Sequence, residues 1–143
     1  MPFYLTLSQH ERIVEHARAE FPLECCGLIG GEKETAREVY PARNADQSRS
    51  HYTIEPSDML RATRDIEDVN NWDISAFYHS HPMSDAFPSP TDVREAVRSG
   101  YSEHSRFIIV SLLNPEQPKM RCFWLRGGVI YEDPLVISDE TRA

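Results

Sequence analysis

The sequence predicts a mixed α/β fold, and three observations carry that prediction. Short apolar or alternating runs of strand length recur along the chain. Longer segments between them repeat apolar residues with a helical period, and glycine or proline stands at most junctions. Together they amount to two main helices, a shorter third and about six to eight strands.

Each element has its own local reason. Ser8 to Glu11 has the S-x-x-E spacing of a capping box, and Ile13, Val14 and Ala17 then share one helical face. Pro22 closes that helix, because the residue before a proline avoids helical backbone. Glu24 to Gly31 is short, apolar and glycine-ended, which suits a buried strand. Glu38 to Arg43 and His51 to Glu55 are further strand candidates, and Asn44 to Ser50 between them is the expected mobile loop. Pro56 opens a helix over Ser57 to Val69, with Met59, Leu60, Ala62, Thr63 and Ile66 as its stripe. Asp73 to His79 reads as a strand in which Ile74, Ala76 and Tyr78 alternate with Ser75, Phe77 and His79. Pro82 to Pro88 is a loop, and the third helix starts at Ser89 or Pro90 and ends near Ser99, before Gly100. Arg106 to Leu113, Met120 to Leu125 and Val129 to Tyr131 finish as strands, the last two joined by the hairpin signal Gly127-Gly128.

The composition narrows the function. Hydrophobic residues are 40% and charged residues 27% of 143, ordinary for one globular domain. A formal net charge of -8 argues against nucleic acid as a partner. The longest strongly apolar runs are too short to span a bilayer, so no membrane partner is expected. The first residues lack the apolar core of a secretory signal. Three cysteines, Cys25 and Cys26 adjacent, make no disulfide framework, and a cytoplasmic setting is expected. These thiols read as small buried strand residues rather than ligands or nucleophiles.

The chemistry is concentrated in His79-Ser80-His81-Pro82 and Ser89-Pro90-Thr91-Asp92. Side chains two apart on a strand share a face, with α-carbons roughly 6.6 Å apart. Two imidazoles so placed can converge on one ion, and Pro82 would leave them at an edge that a ligand reaches. Asp92, in the first turn of the next helix, can bring a carboxylate to the same point. Two histidines and one carboxylate leave a tetrahedral ion one open position, the arrangement of catalytic rather than structural zinc. A histidine pair at this spacing alone is weak, arising by chance in roughly 0.2 chains of this composition. Ser89 to Asp92 is also an ordinary helix start, an N-cap with an acidic partner, and the two readings are compatible.

The whole pattern resembles the JAMM (MPN+, Mov34/MPN) zinc metallopeptidases, particularly their small stand-alone prokaryotic members. The resemblance rests on H-S-H-P, the seven-residue spacing to S-P-T-D, and an upstream glutamate, Glu24, within P-L-E-C-C-G-L-I-G-G. It implies a single-domain, deaminase-like α-β-α sandwich with a curved mixed central sheet. That domain would span 1–143, with its core over about residues 3–132 and a flexible C-terminal tail. It implies one catalytic zinc held by His79, His81 and Asp92, with a bound water completing the tetrahedron. Glu24 would be the general base, and Ser89 would donate a hydrogen bond to the developing oxyanion. The ligand set by itself also suits Fe(II).

The resemblance further implies a protein substrate. The expected reaction is hydrolysis of the amide bond after the C-terminal tail of a small ubiquitin-like or sulfur-carrier protein, such as removal of a C-terminal cysteine. The alternatives are an isopeptidase that removes such modifiers from lysine, and a non-catalytic scaffold. Asp85 and Phe87, in the loop between the ligands, are candidates for lining the cleft.

Overall fold

A computed structural model of the chain describes residues 1–138. Strand β1 (Phe3–Thr6) runs directly into helix α1 (Leu7–Glu20), and β2 (Cys26–Glu32) and β3 (Thr35–Ala42) form an antiparallel pair. Helix α2 (Pro56–Thr63) continues into a π-helical segment, Arg64–Val69, which leads to β4 (Asp73–His81). Then come α3 (Pro90–Ser99), β5 (Arg106–Ser111), β6 (Lys119–Trp124), β7 (Tyr131–Asp133) and β8 (Leu135–Ser138). The strands make one mixed sheet in the order β7-β6-β5-β4-β2-β3-β1-β8.

That order forces the sheet to curl. β7 and β8 lie at opposite ends of it, yet only Pro134 separates them in the chain. A buried ion pair fastens the seam: Arg106 Nε donates to Asp133 Oδ2 at 3.1 Å, and Trp124 Nε1 donates to the same oxygen at 2.8 Å. The Phe3 N–H reaches the Pro134 carbonyl at 2.9 Å. The guanidinium, removed from water, also lies over the rings of Phe3 and Trp124 at 5.0 and 4.6 Å.

Helices cover both faces, giving an α-β-α sandwich. On one face α1 sets Ile13, Val14 and Ala17 against Phe3, Leu5, Tyr78, Ile108 and Val110. On the other, Ala62, Ile66 and Ala96 pack on Leu28, Phe77, Phe107, Ile109 and Phe123. Burial on both sides is why β5 reads as a nearly continuous apolar run and why every residue of β4 after Asp73 is buried. Tyr78 is wholly buried and leaves no room for a side chain at Gly27, where a Cβ would lie 2.3 Å from its ring.

Several local expectations need correction. The first helix is capped by Thr6, not Ser8: Thr6 Oγ1 accepts from the Gln9 N–H at 3.1 Å and Gln9 Oε1 accepts from the Thr6 N–H at 2.9 Å. Pairing of β1 holds Thr6 extended until the helix begins, which places the cap at the strand's end. Glu24 precedes β2 by two residues instead of lying within it. His51 to Glu55 is no strand, and only Ile54 bridges to Asn44. The β2–β4 register shifts so that Ser75 bulges out, and Ile74 joins the same core as Phe77. Beyond the expected core, residues 135–138 pair with β1 as β8; the rest of the expected flexible tail lies outside the described residues.

Candidate metal centre

β4 is flanked on both sides, by β2 and β5, and ends in the two histidines. His79 and His81 are on one face, as a two-residue spacing requires, and they are 2% and 5% exposed. The strand end expected to be open to a ligand is thus buried. The loop after Pro82 folds over His81, whose Nδ1 lies 2.7 Å from the Asp85 carbonyl oxygen. An Nδ1–H donated to that carbonyl leaves the His81 Nε2 lone pair free to face inward.

α3 contributes the third group through its own cap. The Ser89 Oγ accepts from the Asp92 N–H at 3.0 Å, while the Ser89 N–H donates to Asp92 Oδ2 at 2.9 Å. This reciprocal box fixes the carboxylate rather than competing with its other role. The same Oδ2 lies 2.9 Å from His81 Nε2 and 3.2 Å from His79 Nε2, and the two Nε2 atoms are 3.1 Å apart. The cap reading and the ligand reading are both satisfied by one oxygen.

The three groups set each other's charge. Burial alone would raise Asp92, but hydrogen bonds and charge from both imidazoles outweigh it and hold the carboxyl well below its ordinary range. Burial lowers His79, against the pull of Asp92. Burial also works against the His81 cation, yet Asp92 and the Asp85 carbonyl prevail and raise it. Two ring nitrogens and an ionised oxygen meeting at one buried point could hold a metal ion.

Close to this triangle is Glu24, 3% exposed, whose Oε1 has no hydrogen-bond partner among the described residues. A buried orphan oxygen beside a cation-type ligand set is the position of a group awaiting water or substrate. Burial pushes Glu24 up to about 8, with His81 opposing and Asp92 adding to the rise. The Glu24 backbone is tied to the 44–53 loop: its N–H donates to the Ser48 carbonyl at 2.8 Å, and its carbonyl accepts from Asn44 Nδ2 at 3.1 Å. The next peptide is fastened to β4, where the Cys25 N–H donates to Ser80 Oγ at 2.8 Å. Tyr52, on the same loop, stacks on His79 with ring centroids 4.6 Å apart.

Glu24, His79, His81, Ser89 and Asp92 are brought together as the sequence suggested. Asn44 and Tyr52 are additions that no motif announced, and Ser80, inside the H-S-H-P run, gains a part the motif did not give it. Cys25, Cys26 and Cys122 are buried free thiols. Burial pushes Cys25 and Cys122 up to about 12, so neither supplies a thiolate near neutral pH. Of the loop candidates, Asp85 acts through its carbonyl, and Phe87 packs edge-on against Phe123, 5.6 Å between centroids.

A family described as prokaryotic homologs of the JAB domain matches residues 6–126. The chain belongs to this family. A CysO-cysteine peptidase from Mycobacterium bovis is 28% identical over 130 residues, covering 90% of this chain and 86% of that protein. A desampylase from Haloferax volcanii is 34% identical over 104 residues, 68% of this chain and 74% of its own length. A protein from Desulfitobacterium hafniense, solved in solution, superposes with a TM-score of 0.83 at 31% identity over 98% of this chain and 94% of that one. A JAB1/MPN domain protein from Archaeoglobus fulgidus shares the fold, with a TM-score of 0.58 at 20% identity, over 95% of this chain and 99% of that one. No helix among the described residues is long and apolar enough to cross a membrane.

Proposed function

We propose that this protein is a zinc peptidase that hydrolyses the amide bond after the C-terminal tail of a small ubiquitin-fold or sulfur-carrier protein. The observation that carries the proposal is the meeting of His79 Nε2, His81 Nε2 and Asp92 Oδ2 beside the unpartnered Oε1 of Glu24. Ligands of a tetrahedral zinc at about 2.0–2.1 Å are about 3.3 Å apart. The observed separations of 2.9, 3.1 and 3.2 Å fit that set after a slight opening. Relatives named CysO-cysteine peptidase and desampylase support the substrate class.

A zinc ion there would supply Lewis acidity, polarising a carbonyl and bringing the proton of water into the range of about pH 7. The protein's own residues do the rest. His79, His81 and Asp92 would hold the ion, and the Asp85 carbonyl and Tyr52 ring would fix the two imidazoles. Glu24 takes the proton of the attacking water at Oε1 and returns it to the leaving amine. The positive charge of a bound ion favours the ionised carboxylate that this role needs. Ser89 Oγ accepts from Asp92, and its own O–H has no acceptor among the described residues. It is therefore free to donate to the carbonyl oxygen as negative charge develops there. Three buried free thiols suit a reducing compartment, and we assign the protein to the cytoplasm.

The test pairs two substrates. Zinc-loaded protein is incubated with a carrier bearing a cysteine after its Gly-Gly tail, and separately with the same carrier linked to a lysine side chain. Release of cysteine, seen by mass spectrometry, with the lysine conjugate intact is the expected result. Cleavage of the conjugate alone would make the protein an isopeptidase, and inertness toward both would make it a scaffold.

A further inference from the structure

Among the described residues, the only polar side chain that bonds directly to the Glu24 backbone is Asn44, a residue outside every motif. Asn44 is 7% exposed, and its amide makes four hydrogen bonds. Nδ2 donates to the Glu24 carbonyl at 3.1 Å and to the His51 carbonyl at 3.1 Å. Oδ1 accepts from the Asp46 N–H at 3.0 Å and the Thr53 N–H at 3.1 Å. Two carbonyls on one side and two N–H groups on the other dictate which way the amide points. Every donor and acceptor of the side chain is used, so the group is saturated as well as buried.

The bonds join parts that are distant in sequence. One leads to the backbone of the residue proposed as the base. The others hold residues 46, 51 and 53, which bracket Tyr52, the ring stacked on His79. On its other side the base's segment is held by Ser80, from within β4. Glu24 thus sits between a strand, which is rigid, and a loop that has no regular pairing beyond one bridge. The loop also has the Thr53 O–H to Asp46 bond and the Ser48 carbonyl that accepts from the Glu24 N–H, and the Asn44 amide is the buried side chain that ties both of its arms to the base.

From this geometry we infer that Asn44 is a positioning residue for Glu24, setting where the carboxylate stands relative to the ligand triangle without touching the reacting atoms. The inference rests on the proposed peptidase reading. A displacement of about 1 Å in a reacting group costs on the order of 100-fold in rate, while no ligand on β4 or α3 bonds to Asn44 itself and only His79 is linked to it, through the Tyr52 ring.

The experiment compares Asn44→Asp with wild type and with Glu24→Gln. The aspartate keeps the shape but turns an oxygen toward the Glu24 and His51 carbonyls. Each protein is loaded with zinc for kinetics and with Co(II) for its visible spectrum, at a temperature well below unfolding as followed by circular dichroism. For Asn44→Asp, kcat should fall about 100-fold with KM changed by less than about threefold. The tetrahedral Co(II) bands should be retained, and the Co(II) affinity should fall by no more than about the tenfold expected from loosening the Tyr52 stack on His79. Asn44→Ser, which leaves no repelling oxygen, carries the same expectation if the aspartate variant does not fold. An unchanged kcat in a folded variant overturns the inference, as does a loss of the Co(II) bands in step with activity. Activity in Glu24→Gln would instead overturn the peptidase reading itself, so the two failures are told apart.

Discussion

The two sides of the centre are built in opposite ways. The ligand side is one continuous stretch, a strand end, a loop and a helix start, and each group is fixed by its immediate neighbours: Asp92 by the cap at Ser89, His81 by the Asp85 carbonyl. The base side is assembled from two separate segments, one carrying Glu24 and the other Asn44 with Tyr52, and it is fastened to the ligand strand at Ser80. The lesson is that the groups proposed for ion binding and for proton transfer are held by structurally separable means. One depends on local geometry, the other on packing between segments distant in sequence.

That separation can be broken from either side. The largest effect is expected on the ligand side: His81→Ala or Asp92→Asn removes a donor from a three-atom set, and bound zinc and turnover should vanish together, as measured by elemental analysis and peptidase assay. Adding a chelator to wild type should do the same, reversed by zinc. Tyr52→Ala probes a side-chain contact that crosses between the sides. Among the described residues His79 Nδ1 has no hydrogen-bond partner, unlike that of His81, so its ring orientation relies on stacking. Zinc affinity should fall about tenfold in this variant, within the range typical of lost outer contacts, and Tyr52→Phe should restore it.

The smallest effect concerns the metal-free protein. Burial raises Glu24 from 4.5 to about 8 in the fold. An acid whose folded value lies above its unfolded one favours the fold at low pH, and that advantage is lost as pH rises from about 4.5 through about 8. Metal-free Glu24→Gln should therefore melt above metal-free wild type at pH 9, and this gap should shrink toward pH 5. A gap that grew on acidification would contradict the burial of an unpaired carboxyl at this position.

The same division explains what was legible in the sequence. His79, His81, Ser89 and Asp92 lie within one strand-loop-helix unit, so periodicity and capping rules were enough to place them together. Glu24 was found through a family pattern, not through spacing. Asn44 and Tyr52 fell in what looked like a mobile loop and a strand, because the bonds that hold them come from segments far away in sequence. β8 escaped for the same reason: its partner is β1, at the other end of the chain. The helix cap was misplaced by two residues because Ser8 matched the pattern, while strand pairing selected Thr6.

The central claim is that one buried ion site and one separate base make up the active centre. Its most direct test is zinc content and turnover measured on the same preparation of Glu24→Gln. The account predicts one zinc per chain, as in wild type, with turnover reduced by at least about 1,000-fold. A variant that keeps its zinc and still cleaves at near the wild-type rate would contradict it.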